Sequence, residues 1–410
     1  MNENMRHILV PNYMRRFRCI GPDCEDTCCQ GWTVHIDRET YRKYRNIKDP
    51  ELAPLIEKGV SRNRSNPNER TYAKIKFDER GLCYLLSENK MCLIHAKKGE
   101  GYLSHVCATY PRVCSIINNI LEKSVSLSCP EAARVILQNP DGIEFDEAEE
   151  PSGNRYILNC TIDTSDVRLK NKPHKFLWEF RVFVITLLQN RTYKLWERLI
   201  ILGLFCQKAQ DYINTDKHDE IPDLISLYNN LIVNDAFKGN LESIPSSIAV
   251  QYELLKEITD GRIMNGVSCM QFISCFHDFQ EGMGFSEDSK VEEVSAHYSK
   301  VYQDYYEPFM GNHEYIYENY LVNHVFKNLF PLSNDNDVFS EYVMLIVRYA
   351  LIKLYLIGIA GFHKGLTMDI VIKLVYSFSR SVEHDPVFLS KVYQALQKEG
   401  FNTMAYMAIL

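Results

Sequence analysis

Two hydrophobic rhythms divide the chain. From about Lys170 to the end, apolar residues return every three or four positions, as in Phe176, Phe180, Phe183 and Leu187, then Leu195, Leu199, Leu202 and Cys206. That is the period of a helix with one buried face. The same spacing predicts further helices at roughly 221–234, 246–260, 267–280, 291–308, 314–329, 337–360, 365–380 and 386–399. Gly239, Pro245, Gly261, Gly266, Pro331 and Gly361 punctuate them.

Before residue 165 the pattern is short and mixed. Val34-His-Ile alternates like a strand, Thr40 to Arg45 opens a helix, and Thr71 to Phe77 and Ser124 to Leu127 read as strands. Residues 61–70 are polar and turn-rich, which predicts a loop. Ser128-Cys-Pro-Glu131 predicts a helix start running through Leu137. Ser128 is its N-cap, Pro130 lies in its first turn and Glu131 closes a capping box. Asn139 to Gly153 is acidic and carries Pro140 and Pro151, so it reads as a linker or exposed loop. The expected fold is mainly α. A mixed α+β, cysteine-rich, metal-binding domain at 1–165 precedes an all-helical domain at 166–410.

Composition narrows the class. The chain has 410 residues, 46% of them hydrophobic, so it can build a core without disulfide staples. A net charge of −7 argues against nucleic acid as the main partner. Tyr342 to Phe362 is the most apolar stretch, but Arg348 and Lys353 interrupt it. The charge-free run after Lys353 falls far short of the ~20 residues a spanning helix needs. A buried core helix and no transmembrane segment are expected. Met1 to Arg18 lacks the apolar run of a signal peptide, so the expected location is the cytoplasm, where thiols stay reduced.

That compartment matters because of the cysteines. Cys19, Cys24, Cys28 and Cys29 fall within eleven residues, and Cys83, Cys92, Cys107 and Cys114 follow. Reduced thiols in such a block point to a thiophilic metal, as zinc or an iron–sulfur cluster. Adjacent cysteines at 28 and 29 break the common zinc spacing, and His95 offers an alternative zinc ligand. Cys160, Cys206, Cys269 and Cys275 stand apart and read as small buried hydrophobes. No Gly-x-Gly-x-x-Gly loop of a dinucleotide-type fold is present. Gly99-Glu-Gly101 and Gly282-Met-Gly284 read as turns.

Several runs resemble the bacterial flagellin lysine-N-methylase family. They are Phe17-Arg-Cys with Asp23-Cys-Glu-Asp-Thr-Cys-Cys-Gln-Gly-Trp32, Gly81-Leu-Cys-Tyr-Leu-Leu86, Met91-Cys-Leu-Ile-His95 and Cys107-Ala-Thr-Tyr-Pro-Arg112. Leu127-Ser-Cys-Pro-Glu-Ala-Ala-Arg134, Glu318-Asn-Tyr-Leu-Val-Asn-His-Val-Phe326 and Phe330-Pro331 complete the set. The resemblance implies methyl transfer from S-adenosylmethionine to surface lysines of flagellin. It also implies an iron–sulfur cluster of the 4Fe–4S type on some of the eight cysteines.

The residues suggest where such chemistry would sit. Arg112 beside Tyr110 could pair with a cluster thiolate or the donor carboxylate. Asn319 and Asn323, one helical turn apart, could hold the donor's amino-acid end. Tyr302, Tyr305, Tyr306, Tyr315, Tyr317 and Tyr320 could form an aromatic wall for a sulfonium or a lysine. The rival reading is a non-catalytic zinc- or iron-binding interaction protein.

Overall fold

The helical rhythm becomes helices in a computed structural model of the chain, which describes residues 5–65, 67–239, 241, 262, 266–267, 269–284, 291–332 and 337–410. Contacts divide the chain into two units. The first comprises Met1–Ile116, Ile120–Ala132 and Phe145–Thr161, and the second Ile117–Asn119, Ala133–Glu144 and Ile162–Leu410.

Two sheets organise the first unit. One holds β1 (Met5–Pro11), β5 (Arg112–Ile117), β6 (Ile120–Val125), β7 (Phe145–Pro151) and β8 (Leu158–Ile162), in the order β7-β1-β6-β5-β8. The other orders β2 (His35–Ile36), β3 (Val60–Arg62) and β4 (Ala73–Ile75) as β2-β4-β3. Asn118 and Asn119 both take positive φ, 49° and 65°, which lets two residues turn β5 back into β6.

The first unit corrects one expectation. The acidic stretch Asn139 to Gly153 is not all linker: residues 145–151 pair with β1 along its whole length, from Met5 opposite Pro151 to Pro11 opposite Phe145. Its acids made it look like a loop, yet they suit an edge strand, where charge blocks further pairing. Glu150 lies opposite Arg6 and Glu149 opposite His7, with ion-pair distances of 2.5 Å and 3.5 Å. The helix predicted after Ser128 runs from Pro130 to Leu137, with Cys129 at its flank. The Ser128 hydroxyl lies 3.0 Å from the Tyr110 hydroxyl and 2.9 Å from that of Ser126.

The second unit is helical throughout its longer elements. Leu177–Leu188, Leu195–Asn214, Ile221–Val233, Met270–Met283, Tyr315–Asn328, Val338–His363, Met368–Phe378 and Pro386–Lys398 match the predicted helices to within a few residues. The helix predicted at 246–260 lies outside the described residues. Two predicted helices change pitch. Val291–Val301 runs into a π-helical turn at Tyr302–Tyr306, and Met368–Phe378 runs into another at Ser379–Glu383. Val338–His363 is long and apolar enough to cross a membrane, contrary to the sequence estimate, but 89% of its most apolar window is buried in the protein.

Gly282 is not a turn residue. It sits inside the Met270–Met283 helix, where a Cβ would lie 1.8 Å from the Gly358 carbonyl oxygen of the long helix. Only Gly284, at φ 61°, ends the helix as expected of a turn glycine. Gly282→Ala should therefore destabilise the protein. Helix propensity favours alanine by about 1 kcal/mol. Overpacking against backbone costs about 1–3 kcal/mol and sometimes more. The clash should win, and a lowered urea midpoint with unchanged slope would show it.

Candidate functional site

Two places in the molecule gather chemistry-bearing side chains, one in each unit. In the first, the core under the three-stranded sheet fixes the thiols. Val34, Ile36, Tyr44, Leu52, Ile56, Ala73, Ile75 and Ile94 are buried there, and Cys83, Cys92 and Cys107 pack against them. The Cys83 amide donates to the Cys29 carbonyl over 2.9 Å, and Trp32 Nε1 donates to the Cys28 carbonyl over 2.7 Å. Cys28, Cys29, Cys83, Cys92 and Cys107 thus come within electrostatic reach of one another.

Burial raises the Cys83, Cys92 and Cys107 thiols, which favours their protonated form. It pushes Cys83 up to about 11 and Cys107 up to about 12. Cys29 is raised by its hydrogen bond with Cys28, then by burial and by Cys28, Cys92 and Cys83 around it. Cys129, pushed to about 12 by burial, adds a sixth thiol close to Cys24 and Cys28. It was not among the eight candidates; its place directly before a helix, beside Pro130, was the signal. Cys114 lies elsewhere, 2% exposed in the core of the five-stranded sheet with Ile8, Val10 and Leu121. Cys19 is exposed. His95 follows Cys92 in the Leu93–Lys98 helix and is exposed.

The donor set matches a thiophilic cation. Thiolate is the ligand form, and a cation would supply the opposite charge that these gathered sulfurs lack. Among the described residues, no three His, Cys, Asp or Glu side chains stand in metal-holding geometry. Residues of the motifs also meet in pairs. The Trp32 and Tyr110 rings are 5.4 Å apart, and Arg112 lies over the Phe17 ring at 5.5 Å.

In the second unit the Tyr315–Asn328 helix is buried on nearly every side, so its polar residues need partners. Glu318 pairs with Arg198 at 2.8 Å and Arg191 at 2.9 Å. Asn319 Nδ2 donates to the carbonyls of Ile136 (3.0 Å) and Asn139 (2.7 Å), while its buried Oδ1 has no hydrogen-bond partner. Asn323 is buried one turn on.

The next face of the helix carries Tyr320, His324 and Lys327. Tyr320 donates its hydroxyl to Glu383 Oε1 at 2.5 Å, and Ser379 donates to Oε2 at 2.6 Å. Burial opposes the Glu383 charge. Lys327, His324 and the two hydroxyls more than offset it and hold the carboxyl at about 2. Burial, then Arg348, keeps His324 well below the ordinary histidine range. Its Nδ1 lies 3.0 Å from Asn328 Nδ2, so Nδ1 serves as acceptor. Glu383 sits on the second π-helical turn. Such turns recur at functional sites.

The predicted tyrosine wall separates into parts. The Tyr302 and Tyr306 rings pack at a tilt with centroids 5.0 Å apart, the Tyr306 and Tyr317 hydroxyls meet at 2.9 Å, and Tyr317 packs edge-on to Tyr349 at 5.1 Å. Tyr320 turns instead to Glu383, Tyr315 faces His313 at 5.7 Å, and Tyr305 lies under Lys364 at 5.0 Å.

Comparison with known proteins gives these features a lineage. The chain is 24% identical over 395 residues to a lysine-N-methylase of Salmonella typhimurium, covering 93% of each chain. It is 24% identical over 392 residues to the lysine-N-methylase of Salmonella choleraesuis, again over 93% of each. A flagellar biosynthetic protein FliU of Salmonella muenchen is 32% identical over 146 residues, 35% of this chain and 85% of the relative. No solved structure matches. Residues 181–410 match the FliB lysine N-methylase C-terminal domain, and the chain belongs to that family.

Proposed function

We propose that the chain is a protein-lysine N-methylase acting in the cytoplasm. In this reading it transfers the methyl group of S-adenosylmethionine to lysine ε-amines of flagellin and carries a cysteine-held iron–sulfur cluster. The observation that carries the reading is the family match over 181–410, joined to head-to-tail similarity with two lysine-N-methylases. The FliU relative supports the flagellar context.

The chemistry asks for a neutral amine. About 99.9% of a lysine with pKa ~10.4 is protonated at neutral pH. A desolvated, aromatic surround lowers that value and favours a methylsulfonium. The group formed by Tyr302, Tyr306, Tyr317 and Tyr349 fits such a wall. The protein's own lysines illustrate the effect, because burial lowers the Lys353 amine beside Tyr349. Asn319, with its unpartnered Oδ1, and Asn323 are assigned to the donor's amino-acid end. Bound S-adenosylmethionine supplies an electrophilic methyl group. A cluster would be held by thiols from Cys28, Cys29, Cys83, Cys92 and Cys107, and Tyr110 and Arg112 are assigned to its surround or to the donor carboxylate.

Protein purified without oxygen, incubated with S-adenosylmethionine and flagellin, should add methyl increments to flagellin lysines by mass spectrometry. No increment with full metal content would sink the methylase reading. Iron and sulfide analysis with electron paramagnetic resonance tests the cluster. Cys29→Ser should cut iron per folded protein at least several-fold, whereas Cys114→Ser should leave it unchanged. Colourless protein holding one zinc would favour the non-catalytic module.

A further inference from the structure

A cleft of about 520 Å³ opens in the first unit between residues 31–33 and residues 74–77. Trp32 and Phe77 give it two aromatic walls, and Lys74 and Lys76 give it positive charge. Each wall is fixed to the thiol core. Trp32 is held by its hydrogen bond to the Cys28 carbonyl, and Phe77 is paired with Cys83 by a β-bridge. Lys74 and Lys76 alternate with buried Ala73 and Ile75, so the strand turns both ammonium groups outward, where they are exposed. Among the described residues neither lysine has an ion pair. Residues 38–76 hold eleven Lys and Arg against five Asp and Glu, in a chain whose net charge is −7.

We infer that this cleft docks an acidic, aromatic- or apolar-bearing segment of the protein substrate; the inference rests on the methylase reading. An acceptor lysine does not suit it, because two ammonium groups would repel a third. The sulfonium of S-adenosylmethionine is disfavoured on the same ground. Carboxylates paired with Lys74 and Lys76 while one side chain enters between Trp32 and Phe77 satisfy both features of the lining. A volume near 520 Å³ takes a few side chains. Docking here would present target lysines by their acidic neighbourhood, a matter of KM rather than of the chemical step.

The probe is a fluorescein-labelled peptide with four Glu or Asp around one Phe, read by anisotropy on the full chain. Binding should weaken at least tenfold in Lys74→Glu/Lys76→Glu and should fall steeply between low and physiological salt. Trp32→Phe should bind but lose the peptide-induced change in tryptophan emission. Equal affinity of the parent and the double variant, at matched circular dichroism, would overturn the proposal. So would tighter binding of a twelve-nucleotide oligothymidine. Methylation separates the two readings. Peptide binding without any methyl transfer removes the methylase reading and leaves the docking site standing. Methyl transfer with unchanged KM in the double variant removes the docking site and leaves the methylase standing.

Discussion

Glu318→Ala should be among the most destabilising single changes in the helical unit, by about 3–5 kcal/mol. The Glu318 side chain is 2% exposed and the Arg198 side chain 3% exposed. Arg198 also donates to the Leu188 carbonyl and lies 3.3 Å from Glu314. Truncating Glu318 leaves the buried Arg198 guanidinium with the Leu188 carbonyl and the more distant Glu314 carboxylate. The loss comes less from the missing attraction than from the stranded charge. The pair itself adds little over a well-packed apolar substitute, so Glu318→Leu/Arg198→Met should recover most of the loss. Denaturant unfolding of both single variants and the double decides it. A double variant as unstable as the sum of the singles would show that the pair does not act as a unit.

That buried carboxylate also shows how much of the molecule was legible beforehand. The long helices were, because burying one face writes a 3.6-residue period into the sequence. Tyr320, His324 and Lys327 already share a helix face by spacing. Their partner Glu383 is 63 positions from Tyr320, and no local pattern signals such a pairing. Strand β7 was hidden for a different reason. Its residues are chosen for an edge and for cross-strand charge pairs with β1, and acids in a row look like a loop until the partner is known. The thiols were visible as a block, but sequence order could not separate Cys114, which folds into a sheet core, from the five that gather. Nor did spacing reveal that Trp32 and Phe77 face one cleft, since β4 and the loop after Cys29 meet only through the fold.

Acid should unfold the helical unit earlier than a chain with ordinary carboxylates, and Glu383 with His324 sets the window. The Glu383 carboxyl is held at about 2 against a usual 4.5. A depressed acid stabilises the fold fully above its unfolded value, and that contribution disappears as pH falls from about 5 towards 2. A shift of that size corresponds to about 3 kcal/mol as an upper order of magnitude. His324 acts in the same direction but at higher pH. Its folded value lies well below 6.5, so the unfolded chain takes up a proton first and stability begins to fall below about pH 6.5. Two steps are therefore expected in the unfolding free energy between pH 7 and 3. His324→Gln should remove the upper step. Glu383→Gln should flatten the lower one while lowering stability at pH 7, because the buried Lys327 then loses the carboxylate that offsets its burial. Tyr320→Phe separates hydrogen bonding from charge. It removes one donor to Glu383 Oε1 and should shift the lower step upward in pH without abolishing it. An unfolding free energy that stays level from pH 7 to 4 in the parent protein would contradict the burial and pairing assigned to both groups.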